Sequence, residues 1–144
     1  FSIDLTTKIT RAFIFTNIII DVLMQRDGYL SSAMVLALSK KEDVSLYVSV
    51  LTMANVAYIL RKSLRGEDFY KELKKLSGFL NVTDTTTGHF LSALELQGKD
   101  FEDALQYYCA ESNQCEVIIT RNKKDFTFSS LRVMTPEELL ASEF

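Results

Sequence analysis

Short unbroken apolar runs alternate along this chain with longer stretches in which apolar residues recur every three or four positions. The first run, Ala12 to Phe15, is too brief for a helix and too continuous for a strand with one wet face. It therefore predicts a strand buried on both faces of a parallel sheet. Leu46 to Val48 and Val117 to Ile119 read the same way, and Asn81 to Asp84 and Arg132 to Met134 are weaker strand candidates. Between them, helical spacing marks Ile18 to Leu23, Leu30 to Lys41 and Leu51 to Leu64, where Met53, Ala57, Leu60 and Leu64 repeat. Phe69, Leu73, Leu76 and Leu80 continue it as the second arm of a helical hairpin. Thr87 to Gln97 and Asp100 to Asn113 follow. Thr135, Pro136, Glu137 and Glu138 join a capping box to a proline at the first helical position, a strong helix start. Strands alternating with helices predict a three-layer α/β/α sandwich around a mostly parallel central sheet.

A chain of 144 residues with 47% hydrophobic and 24% charged residues is expected to form one globular domain. Residues 1–10 read as a tail or added edge segment and 11–144 as the domain. No apolar run is long enough to span a bilayer, and the amino end lacks the basic flank and apolar core of an export signal, so a cytoplasmic location is expected. Two cysteines, Cys109 and Cys115, with a single histidine match no zinc spacing and read as free buried thiols. His89 reads as an exposed or capping residue, and Tyr107 and Tyr108 as core. The net charge of −3 lacks the basic footprint of a general nucleic-acid binder, yet allows an acidic site flanked by local cations. No glycine-rich phosphate loop, nucleophile elbow or serine–histidine pairing is present.

Each clear strand ends on polar residues. Thr16 and Asn17 follow the first, both good N-caps; Ser49 follows the second and Thr120 the fourth. In a parallel sheet these ends share the carboxyl edge, where open α/β folds bind ligands. Lys99 to Ala104 opens a helix whose first turn points at the same edge. Asp100 reads as its N-cap, whereas Asp103, one turn in, is a candidate for chemistry. Arg121, Lys123 and Lys124 flank Asp125, and Arg61, Lys62 and Arg65 close another helix. Both clusters are either phosphate contacts or solvated faces.

The segments Phe13 to Ile18, Ser49 to Asn55, Asp100 to Ala104 ahead of Tyr107 and Ala110, and Ile118 to Phe126 together resemble the PIN domain. This family of magnesium- or manganese-dependent ribonucleases includes toxins of bacterial toxin–antitoxin pairs. The resemblance implies a PIN-like metal-dependent endoribonuclease, with RNA as substrate, an antitoxin protein as a further partner, and dimerisation through the apolar hairpin if that hairpin is not core. It places metal ligands at Asp103 and Asp125, with Asn55 and Asn122 as neutral ligands or water positioners beside them in the catalytic set. Thr16, Asn17 and Thr120 take positioning roles, and Arg121, Lys123 and Lys124 RNA contacts. Two expected acids are replaced, the first by Phe15 and the second by Asn55, so the magnesium or manganese site is expected to be weak. The alternative is a catalytically degenerate module that keeps the fold to bind nucleic acid or protein.

Overall fold

In a computed structural model describing residues 9–41 and 43–142, β1 (Arg11–Ile14) lies at the centre of a five-stranded sheet. Its neighbours are β2 (Ser45–Ser49), β3 (Asn81–Thr83), β4 (Val117–Ile119) and β5 (Arg132–Met134), in the order β3-β2-β1-β4-β5. Every adjacent pair is parallel, with Phe13 opposite Tyr47 on one side and Ile118 on the other. The alternation of side chains along a strand divides the core in two. Ala12 and Ile14 join Val117 and Ile119 on one face, whereas Phe13, Phe15 and Ile118 project into the other.

Among the described residues seven α-helices flank the sheet: α1 (Thr16–Met24), α2 (Tyr29–Ala37), α3 (Val50–Leu60), α4 (Gly66–Ser77), α5 (Thr87–Leu96), α6 (Phe101–Ser112) and α7 (Pro136–Ala141). Ile18 and Ile19 of α1, Val35 of α2, Val56 of α3, Phe69 and Leu76 of α4 and Leu139 of α7 fill the first face. Tyr107, Cys109 and Ala110 of α6 fill the second, with Cys115 and Phe126. The expected three-layer sandwich is therefore present. The hairpin residues Phe69, Leu76 and Leu80 serve the core, and both cysteines are free and buried. No described helix is long and apolar enough to cross a membrane.

Boundaries shift where local geometry outweighs periodicity. The helix expected over Leu30 to Lys41 tightens into a 3-10 turn at Leu38–Lys40, and the one expected to reach Leu64 ends at Leu60. The next helix, α4, opens at Gly66. Of the tail or edge segment expected over residues 1–10, positions 1–8 lie outside the described residues. Ile9 is buried, and the Thr10 and Arg11 amides both donate to the Glu116 carboxylate.

Candidate active site

The carboxyl ends of β1 and β4, adjacent where the strand order reverses, open a cleft of about 560 Å³. Crevices form there because the chains leaving the two strands diverge to opposite sides of the sheet. Thr16 and Asn17 enter the cleft from the end of β1, and Thr120, Asn122 and Asp125 from beyond β4. Asn55 enters from α3, and Asp100, Glu102, Asp103 and Gln106 from α6. Carboxylates distant in sequence, Asp103 and Asp125, thus line one cavity with both candidate asparagines.

Asp100 caps α6, its Oδ1 accepting from the Asp103 amide at 3.0 Å. This cap fixes the first turn, so Asp103 points into the cleft beside its own capping residue. Burial and the nearby carboxylates of Asp100, Asp125 and Glu102 push the Asp103 carboxyl up from 3.8 to about 6. Such repulsion arises when like charges converge in a partly desolvated place. Across the cleft, Asn55 Nδ2 donates to Glu102 Oε2 at 2.9 Å, which leaves the Asn55 amide oxygen free of that bond.

Buried hydroxyls hold the three helices at this edge. The Ser49 hydroxyl caps α3 by accepting from the Thr52 amide and donates to Gln106 Oε1 at 2.7 Å. Gln106 Nε2 in turn donates to Thr52 Oγ1 at 2.9 Å, and the Thr16 hydroxyl meets that same oxygen at 2.8 Å. Ser49, Thr52 and Gln106 are at most 1% exposed, so the network ties α1, α3 and α6 together with its polar atoms paired. On the β4 side, Thr120 Oγ1 accepts from Asn17 Nδ2 at 3.1 Å and from the Asn122 amide at 3.2 Å. Asn17 Oδ1 is buried and finds no hydrogen-bond partner among the described residues.

Several residues sit differently from expectation. The N-cap of α1 is Phe15, one residue ahead of Thr16 and Asn17, and it offers no side-chain cap. Its ring is 8% exposed and packs edge-on against Phe126, centroids 4.9 Å apart, with its remaining edge on the cleft wall. Burial of the ring outweighs the missing cap. Arg121, expected to contact RNA, has its guanidinium engaged by groups of the fold, with its side chain 26% exposed. Its guanidinium pairs with the buried Asp21 carboxylate and donates to the Gly28 carbonyl at 2.7 Å and to the Ser32 hydroxyl at 3.0 Å. Gly28 holds φ at 82°, and a Cβ there would stand 3.2 Å from the Arg121 guanidinium, so the turn needs glycine twice over. Lys123 pairs with Glu138 at 3.0 Å. Lys124 lines a second cleft, of about 710 Å³, whose walls include Asp100, Asp103 and Asp125. Arg26 and Tyr58, which no sequence pattern singles out, line the first. His89 completes a capping box with Thr86, and Tyr107 is core, both as expected.

A family model, that of the PIN domain, matches residues 11–124. The chain belongs to the PIN domain family. Among curated proteins it is 27% identical over 136 residues to Ribonuclease VapC1 of Aquifex aeolicus (strain VF5), covering 89% of this chain and 92% of that one. Among solved structures, VapBC-1 from nontypeable Haemophilus influenzae aligns with a TM-score of 0.69 at 20% identity, over 89% of this chain and 99% of the other. A toxin–antitoxin complex from Klebsiella pneumoniae aligns with a TM-score of 0.68 at 23% identity, over 87% and 97%. At these identities the structural likeness establishes the fold. In this PIN domain Asp103 and Asp125 line the cleft, and the end of β1 carries an aromatic ring, Phe15.

The donors that the cleft-lining residues offer are oxygens: the carboxylates of Asp100, Glu102, Asp103 and Asp125 and the side-chain amides of Asn17, Asn55 and Asn122. Among the described residues no three histidine, cysteine or acidic side chains gather tightly enough to form a metal cage. An oxygen set of this kind suits a hard divalent cation that keeps several waters, and it is unsuited to zinc.

Proposed function

We propose that this PIN domain is a metal-dependent endoribonuclease that hydrolyses RNA phosphodiesters, with Asp103 and Asp125 as the ligands of a weakly held magnesium or manganese ion. The observation that supports it is the convergence of these two carboxylates on one cleft, close enough for Asp125 to raise the Asp103 carboxyl. Unrelieved negative charge favours a divalent cation, because the ion offsets the mutual repulsion of its ligands. Once bound, such an ion polarises a phosphoryl oxygen and acidifies an attacking water. The side chains of this domain supply the rest. Asn122 and Asn55 orient water at opposite walls, Asn17 and Thr120 fix the β4 loop, and the Ser49–Thr52–Gln106 network keeps α6 in register so that Asp103 stays aimed. Family membership and the likeness to Ribonuclease VapC1 support RNA as the substrate. The similar toxin–antitoxin structures support an antitoxin partner, and two free buried thiols agree with a reducing cytoplasm.

The test is cleavage of single-stranded and structured RNA with manganese, magnesium or chelator present. Metal-dependent cleavage that Asp103→Ala and Asp125→Ala abolish is the expected result; cleavage indifferent to both variants refutes the assignment. Coexpression with the neighbouring gene product tests the antitoxin.

One observation favours a second reading. Phe15 seals the end of β1 against Phe126, where the family places an acid, so the domain can instead retain the fold as a non-catalytic binding module. Cleavage that appears only in Phe15→Asp selects the module. Cleavage in the unmodified chain that depends on Asp103 selects the enzyme.

A further inference from the structure

Asp100, Asp103 and Asp125 line both clefts, so the two cavities form a groove passing over the acids. Lys99 and Lys124 line the arm on the α6 side. Arg26 and Tyr58 line the other arm. Tyr58 stands on α3 one turn beyond Asn55, which puts both on the cleft face of that helix. Yet its ring is 66% exposed. Among the described residues Arg26 pairs with no carboxylate, and its only recorded side-chain contact is the Met24 sulphur at 3.7 Å. Lys62 Nζ lies 5.2 Å from the Tyr58 ring centroid. An exposed ring with one cation beside it, in a cleft that a second cation also lines, is the arrangement that binds single-stranded nucleic acid by stacking and phosphate pairing.

We propose that Arg26 and Tyr58 form a nucleotide subsite, with one RNA base stacked on the Tyr58 ring and the adjoining phosphate held by Arg26, so that a single strand crosses the acids from the Lys124 arm. This deepens, and rests on, the reading of the cleft as an RNA site. It also accounts for the negative overall charge, since only the two ends of the groove need cations. A double helix is too broad and too stiff to lay its bases on a ring at the lip, so the subsite selects unpaired RNA. A protein partner would require a wider apolar face than one ring beside charged side chains.

The test is fluorescence anisotropy with a labelled single-stranded RNA octamer. Calcium replaces magnesium, and the strand is checked by gel for integrity. Tyr58→Leu is expected to weaken binding roughly tenfold and Tyr58→Phe to bind like the parent, because stacking needs the ring and not the hydroxyl. Arg26→Ala is expected to lower the slope of log K against log salt by about 0.7, one phosphate contact on a single strand. With 2-aminopurine placed at successive positions, one position is quenched in the parent and in Tyr58→Phe but not in Tyr58→Leu. Binding that survives Tyr58→Leu and Arg26→Ala unchanged while Lys124→Ala weakens it overturns the subsite and leaves the RNA reading intact. The same result accompanied by altered sedimentation assigns the lip to a protein contact instead. An unmodified chain that binds no octamer overturns both.

Discussion

Replacing Asp103 with asparagine is expected to stabilise this domain above pH 6, although it removes a residue assigned to its chemistry. The carboxyl is raised from 3.8 to about 6 by burial and by Asp100, Asp125 and Glu102. In the folded chain it therefore holds its proton more tightly than in the unfolded chain. Between pH 4 and 6 the folded state binds more protons, so its stability falls as pH rises, and above pH 6 the full penalty is in force. Taken whole, the difference of 3.8 against about 6 corresponds to a ceiling of about 3 kcal/mol. Asp103 is part-exposed, and solvent screening reduces this to about 1 kcal/mol. Asparagine has nearly the same shape and no charge, so it escapes the penalty. For a domain of this size about 1 kcal/mol is a rise of roughly 3 °C in melting temperature. Thermal melts of both proteins at pH 4, 6 and 8 should show near coincidence at pH 4 and a higher midpoint for Asp103→Asn at pH 8. Manganese at pH 8 should then raise the midpoint of the parent more than that of the variant, because the ion relieves the same repulsion. A variant less stable than the parent at pH 8, or a difference independent of pH, would refute the electrostatic account of this edge.

Three further substitutions probe what holds the site in place. Phe15→Ala removes a ring buried against Phe126 and should cost about 3 kcal/mol in urea denaturation; a cost below 1 kcal/mol would mean the ring is not packed as described. Arg121→Met leaves the Asp21 carboxylate buried and unpaired and should cost about 3–5 kcal/mol, most of it recovered when Asp21→Leu is added. RNA binding by the double variant should match the parent, because Arg121 is turned into the fold. Thr52→Val strips the shared hydroxyl from Thr16 and Gln106 and should cost about 1–3 kcal/mol, with amide exchange quickening at the first turn of α6.

The sheet was legible because each central strand is apolar on both faces, a pattern no surface element imitates. Asp100 was legible as a cap because capping depends only on near neighbours. What escaped the sequence depends on partners far along the chain. Nothing near Asp21 in the chain signals its partner, because Arg121 comes from the loop after β4, 100 positions away. Phe15 displaced the better capping residues because packing on Phe126, 111 positions away, outweighs a cap. Thr52 and Gln106 look like ordinary helix polar residues until folding brings them to one oxygen. Arg26 and Tyr58 belong to no motif, and only the cleft relates them.

The two thiols in the core layer that α6 covers have a practical consequence. Burial pushes Cys115 up to about 12 and raises Cys109 as well, and neither side chain is more than 3% exposed. A maleimide or aromatic disulfide reagent in excess therefore reacts only when this layer separates from the sheet, so its labelling rate clocks the opening. Bound RNA or metal should slow that clock only if it clamps α6 to the strands, which makes occupancy readable without following cleavage.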